Sequence, residues 1–337
     1  MKLSNIEPTE NVEIFPILSV NKLAFLLRSE PSKIKEISNS AGKYYRPFDR
    51  QQIKRSGKIK WRHIDNPTGE LKRIQQRINS VLLKDVSKSL PAGMVGGVKG
   101  KSIISNAFPH QKQEVVVTLD IKNCFPKTNH KQIFRIWRNY FKCGEEVSNL
   151  LTKLTTYQTR LPQGASTSLI LCNLALLPLY KDIYKLCSRK KINFTLYVDD
   201  ITISGNGDAC REVINPIIRF IQKRGYSVRK SKICVMSSSQ QQRVTGLVVN
   251  KSVSTSSDYR ESIRREIVNL SRKERISNRS LDTLWGKIQH IKNVSFEQGE
   301  KLENFSLLVL PHSPNYFESK TKEVTRECKC TKRHKYE

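Results

Sequence analysis

The chain has 337 residues, with 60 Lys and Arg against 30 Asp and Glu, for a formal net charge of +30 at pH 7. The cations are spread along the whole length instead of forming one tail, which points to a polyanionic partner, nucleic acid first, and the length allows two or three subdomains with ample core. No apolar run approaches the roughly 20 residues that span a bilayer, so no membrane partner is expected, and the polar start Met1–Glu10 suggests no secretory leader.

Ser19 is placed to cap a helix over about 20–28 whose apolar face includes Leu23, Leu26 and Leu27, with Pro31 following. After Tyr44-Tyr45-Arg46-Pro47-Phe48, the basic stretch from Lys54 to Ile64 reads as a hairpin turned at Ser56-Gly57, with cations suited to gripping a triphosphate. From Glu70, the residues Leu71, Ile74, Ile78, Val81 and Leu82 recur at helical spacing. The segment from Gly93 to Ser102 holds four glycines and two lysines, a composition that lets backbone approach a phosphate chain. It is not a P-loop: Gly96 stands four positions before Gly100 where five are required, and no strand precedes it.

The run Val115-Val116-Val117-Thr118-Leu119 reads as a buried strand that ends on Asp120. Leu161-Pro162-Gln163-Gly164 is a turn before a long apolar helix over about 168–186, with Ser166 or Thr167 as its cap. Gln163 and Gly164 would let an amide and a stretch of bare backbone lie against a base pair. Two apolar runs, Phe194 to Val198 and Ile201 to Ile203, flank Tyr197-Val198-Asp199-Asp200 and place paired carboxylates at a hairpin tip, although Asp also occurs in ordinary turns. Asp208 is expected to cap a helix with Val213, Ile217 and Ile221 on its core face and Gly225 at its end; Pro216 inside it implies a kink or a late start. Strands over about 233–236 and 244–249 complete a small sheet. Beyond Asn250, Tyr259, Ile263, Ile267 and Leu270 form one helical stripe, and Arg264 and Arg265 lie off it, free to track a phosphate backbone. Leu281, Leu284, Ile288 and Ile291 make a second stripe.

The eight cysteines are mostly single within apolar segments, as at Cys124, Cys172, Cys187 and Cys234, and read as reduced, buried thiols of a cytoplasmic protein. Cys328 and Cys330 near His334 have metal-ligand spacing but no evident fourth ligand, and the surrounding lysines and arginine read as a basic tail.

Asp120, Asp199 and Asp200 on two strands can make one oxygen-rich site. Nucleotidyl transfer needs such a site: two divalent ions about 4 Å apart stabilise the attacking and leaving oxygens of an in-line displacement. Mg²⁺ prefers oxygen ligands and is typically held by one or two carboxylates plus substrate phosphates. Asp120 and Asp199 are expected as metal ligands, with Asp200 supporting the field.

Taken in order, the Asp that ends a strand, Leu-Pro-Gln-Gly, Tyr-x-Asp-Asp, and Gly225 with a downstream Lys resemble a reverse transcriptase over roughly residues 40–250. Asn106-Ala107-Phe108-Pro109-His110 and Val244-Thr245-Gly246 resemble two motifs of the bacterial retron enzymes. The resemblance implies an α+β right-hand polymerase: N-terminal helices and fingers over 1–110, a palm with the remaining fingers elements over 111–250, and a helical thumb with a basic tail over 251–337. It makes Asp120, Asp199 and Asp200 the catalytic triad with two Mg²⁺ ions, Arg62 the triphosphate contact, Gln163 and Gly164 part of the nucleotide pocket, and Lys232 or its rival Lys230 the proton donor to pyrophosphate. Phe125, five residues after Asp120, falls where an aromatic ring excludes a ribose 2′-hydroxyl; a buried core aromatic is the alternative. Asn106, His110, Val244, Thr245 and Gly246 fall on motifs tied to the cognate RNA, and Arg264 and Arg265 join them as RNA contacts.

The implied activity is copying part of a structured noncoding RNA into DNA from dNTPs. By resemblance such enzymes prime from a 2′-hydroxyl of that RNA, stay bound to the RNA-DNA product, and serve with an effector or toxin protein in defence against phage. Val198, Arg229 and Asn123-Cys124 depart from the usual retron residues at their positions. A group II intron, diversity-generating or other defence-type reverse transcriptase remains an alternative, as does a non-catalytic RNA-binding scaffold. Three mutually repelling carboxylates weigh against a scaffold.

Overall fold

The computed structural model describes residues 16–53 and 59–310, so the expected turn at Ser56-Gly57 and the tail with Cys328, Cys330 and His334 lie outside the described residues. The chain mixes helices with antiparallel sheets, and it divides at Thr245–Gly246 into two compact units.

In the first unit, β1 (Phe48–Ile53) and β2 (Ile59–Ile64) form a two-stranded ladder in which Arg50 faces Arg62. The central sheet follows from β-branched, two-face-buried sequence. Val115, Val116, Val117 and Leu119 of β3 (Val115–Asp120) are all buried, as are Ile201 and Ile203 on β5 (Asp200–Gly205). With β4 (Asn193–Tyr197) and β6 (Cys234–Ser237) the antiparallel order is β4-β5-β3-β6. The helices Ser168–Arg189 and Gly207–Lys223 supply Leu171, Ile183, Ile217 and Ile221 to the same core. Leu23, Ile34, Leu71, Trp137 and Leu151 extend that core through the N-terminal helices, each such burial contributing about 1.5–3 kcal/mol.

Several expectations need correction. The helix Gly207–Lys223 is capped by Asn206, whose side chain accepts from Ala209 N–H, while Asp208 sits in its first turn. Pro216 does not delay the start, because the helix is already formed from Gly207, nine residues ahead of it. Thr167 precedes the helix Ser168–Arg189 without a side-chain capping bond. The run 244–249 adds nothing to the four-stranded sheet; it holds only the two-residue strands Arg243–Val244 and Leu247–Val248. Cys234 is exposed, because it lies on β6 at the sheet edge, while Cys124, Cys172 and Cys187 are buried and free.

The second unit packs Ser257–Ser271, Asn278–Val294 and a third helix, Phe296–Val309, around Ile263, Ile267, Leu284, Ile288, Ile291 and Leu302. That third helix is not among the sequence expectations, since its apolar positions show no clean stripe. Among the described residues no helix is long and apolar enough to cross a membrane.

Candidate active site

Asp120 ends β3 and stands opposite Asp200, the first residue of β5, in antiparallel register. Tyr197 pairs with Asp200 on the other side, leaving Val198 and Asp199 as the tip of a two-residue turn. Val198 has φ +57°, an uncommon conformation for a β-branched residue, though hairpin turns of this length call for positive φ. Ile121 N–H donates to Asp199 O at 2.9 Å, tying the tip to the end of β3.

The glycine-rich segment expected to approach phosphate instead cradles this turn. Leu196 N–H donates to Gly93 O at 2.8 Å, and Val95 N–H to Leu196 O at 2.9 Å. A Cβ on Gly96 would lie 2.4 Å from Val198 N, so only glycine lets the two backbones meet. Asn173 Nδ2 donates to Gly96 O at 2.9 Å, and Lys101 Nζ donates to the carbonyls of Pro91, Ala92 and Met94. Sequence reasoning singled out the glycines and missed their target, because the contact depends on tertiary packing.

Asp120 is buried, and its Oδ2 accepts from Lys232 Nζ at 2.7 Å. Its Oδ1 lies 3.4 Å from Arg229 Nε, within ion-pair range, but in a geometry that leaves it without a hydrogen bond. Burial first, then repulsion from the neighbouring carboxylates, pushes Asp200 up to about 6; burial, with Asp120 adding, raises Asp199. An orphaned buried carboxylate oxygen beside two carboxylates whose charge is disfavoured by burial and mutual repulsion fits a hard cation with oxygen ligands. Among the described residues no three His, Cys, Asp or Glu side chains converge tightly enough to hold a metal by themselves.

A cleft of about 540 Å³ brings together Asp120, Asp199, Asp200 and Lys232 with Arg62, Phe125, Gln163 and Gly164. Asn123, with φ +53°, turns the chain sharply after β3, a conformation Asn tolerates, and so returns Phe125 to the cleft wall, where it also packs on the core. Lys230 is not part of the lining.

The residues expected to contact RNA behave differently. Asn106, His110 and Val244 are buried, so direct contact by these side chains gives way to an internal role. His110 bonds Ser204 Oγ at 2.7 Å through Nδ1 and Thr195 Oγ1 at 2.8 Å through Nε2, and burial pushes its pKa down to about 3. Asn106 Nδ2 donates to Thr245 Oγ1 at 3.5 Å. Thr245 is half-buried and Gly246 exposed. In the second unit, Arg265 lines a groove of about 690 Å³ with Lys273 and Arg279, while Arg264 lies 3.8 Å from Glu261.

The family description "Reverse transcriptase (RNA-dependent DNA polymerase)" matches residues 53–249. The Retron Se72 reverse transcriptase of Salmonella heidelberg is 26% identical over 321 residues, covering 91% of this chain and 83% of the relative. The Retron Mx65 reverse transcriptase of Myxococcus xanthus is 31% identical over 74% of this chain and 61% of its own length. The Retron Ec86 reverse transcriptase of Escherichia coli is 28% identical over 59% of this chain and 61% of its own. A telomerase from Candida albicans, solved with a fragment of telomeric RNA, covers 86% of this chain and 65% of its own at a TM-score of 0.45 and 11% identity, too distant to bear on the site. With its mixed helices and antiparallel sheets in the right-hand polymerase fold, the chain belongs to the reverse transcriptase family, is of the retron type, and is an RNA-directed DNA polymerase.

Proposed function

We propose that this reverse transcriptase copies part of a structured noncoding RNA into single-stranded DNA that stays joined to the RNA, using two Mg²⁺ ions and dNTPs. By its likeness to retron enzymes it works in the cytoplasm with an effector or toxin protein in defence against phage. The observation that carries the chemical reading is the convergence of all eight expected catalytic and nucleotide-binding residues on one cleft.

Asp120 and Asp199 would hold the ions, with Asp200 deepening the negative field. When bound, the ions supply charge stabilisation at the attacking and leaving oxygens. Arg62, exposed on β2 and always charged, binds the triphosphate. Phe125 closes the space a ribose 2′-hydroxyl would need, and the Gln163 amide lies against the incoming pair. Lys232 holds its proton at Nζ, beside Asp120, for delivery to the departing pyrophosphate. Thr245, Gly246, Arg264 and Arg265 contact the cognate RNA; within the first unit Asn106 holds Thr245 through its side-chain amide, and buried His110 and Val244 serve the packing of that unit.

Protein purified with its native flanking DNA tests the reading. It should carry nucleic acid that shortens with ribonuclease and, separately, with deoxyribonuclease. Sensitivity to only one nuclease would remove the RNA-linked product from the proposal. Asp199→Asn should abolish primer extension with Mg²⁺ while leaving RNA binding largely intact.

A further inference from the structure

Asp65 has no solvent exposure, yet it is ionisable and lies at the end of β2, immediately beyond the strand that carries Arg62. Its carboxylate takes both arms of Arg160, at 2.7 Å to Oδ2 and 3.0 Å to Oδ1. Oδ2 also accepts from Gln163 N–H at 2.9 Å, and Asp65 N–H donates to Gln163 O at 2.7 Å. His63 Nε2 stands 3.5 Å from Oδ1. A Cβ on Gly164 would come within 2.8 Å of Asp65 O, so the turn can close on the strand only at glycine. Neither Asp65 nor Arg160 lines the cleft, but the residues beside them do: His63 and Ile64 on one side, Gln163 and Gly164 on the other.

Such a network is a costly way to gain stability, because a buried ion pair seldom outperforms an apolar pair of the same volume. What it supplies is fixed geometry: two parallel N–H···O bonds admit one orientation. The partners are 95 residues apart in sequence, so the network ties two independent segments. We propose that Asp65, through Arg160, is a positioning residue that clamps the Gln163-Gly164 turn to β2, so that Arg62 and Gln163 meet the incoming nucleotide as one body. The inference rests on the reading of Arg62 and Gln163 as nucleotide-binding residues.

Arg160→Lys keeps the charge and removes the two-armed geometry. On a generic primer and template it should raise KM for dNTP about tenfold while kcat changes less than about threefold, the signature of lost binding geometry. In a Gln163→Ala background the same change should add less than about twofold, because two residues acting through one amide are not additive. Amide hydrogen exchange over residues 161–165 should quicken in Arg160→Lys, a readout independent of activity. Wild-type KM in soluble Arg160→Lys, a full additional KM rise in the Gln163→Ala background, or unchanged exchange would each overturn the clamp. A wild-type enzyme that fails to extend the primer would instead overturn the functional reading.

Discussion

Lys232 Nζ lies 2.7 Å from Asp120 Oδ2, so the expected proton donor and an expected metal ligand share one contact. A cation bound at Asp120 must compete with that ammonium. Lys232→Gln should therefore lower the Mg²⁺ concentration for half-maximal extension several-fold, while the maximal rate falls by about 10²-fold through loss of the general acid. Metal titration of primer extension by both proteins measures the two effects; an increased Mg²⁺ requirement would contradict the competition.

Phe125 is half-buried between core and cleft, which makes it both a packing residue and a barrier. Phe125→Ala should raise ribonucleotide incorporation relative to deoxynucleotide by at least about tenfold, since discrimination by exclusion disappears with the ring. Single-nucleotide extension with matched dNTP and rNTP reads this directly. If the soluble variant keeps wild-type sugar selectivity, Phe125 is a core aromatic and nothing more.

Gly96→Ala should damage catalysis more than folding. The added methyl meets Val198 N at the tip that carries Asp199, so the tip must move. A displacement of about 1 Å at reacting groups can cost about 10²-fold in rate, whereas overpacking typically costs about 1–3 kcal/mol of stability. Extension rate and thermal melting, compared with Gly42→Ala, separate the two, because a Cβ on Gly42 meets nothing within 4 Å and its backbone lies outside the left-handed region. Equal losses of activity in both variants would refute the cradle.

His110 sets an acid limit on stability. Its folded pKa, about 3, lies below the ordinary histidine value of 6.5, so between those values the unfolded chain binds a proton that the folded chain refuses. Stability from this group is full above about 6.5 and is lost progressively as pH falls towards about 3. Asp200 works in the opposite sense: raised from 3.8 to about 6, it favours the folded state as pH falls through that window. The test is the difference between proteins. Denaturant unfolding from pH 7 to pH 4 should give a smaller stability loss for His110→Gln than for wild type; parallel curves would show that His110 does not stay neutral.

Local pattern determined much of this protein. A β-branched run ending in Asp120, a hairpin spacing around Asp199 and Asp200, and helical stripes such as Ile263, Ile267 and Leu270 are legible because neighbouring residues set strand and helix periodicity. The strongly basic composition likewise needs no fold to be read. Tertiary structure decided the rest: that Asp120 faces Asp200, that Gly96 touches Val198, that His110 is sealed between Thr195 and Ser204, and that Asp65 grips Arg160. His110 shows why motif and role separate, for its motif implies an RNA contact while its burial makes it a strut. These contacts join segments far apart in the chain, and their identity depends on which buried surfaces meet when the core closes, information that no window of neighbouring residues contains.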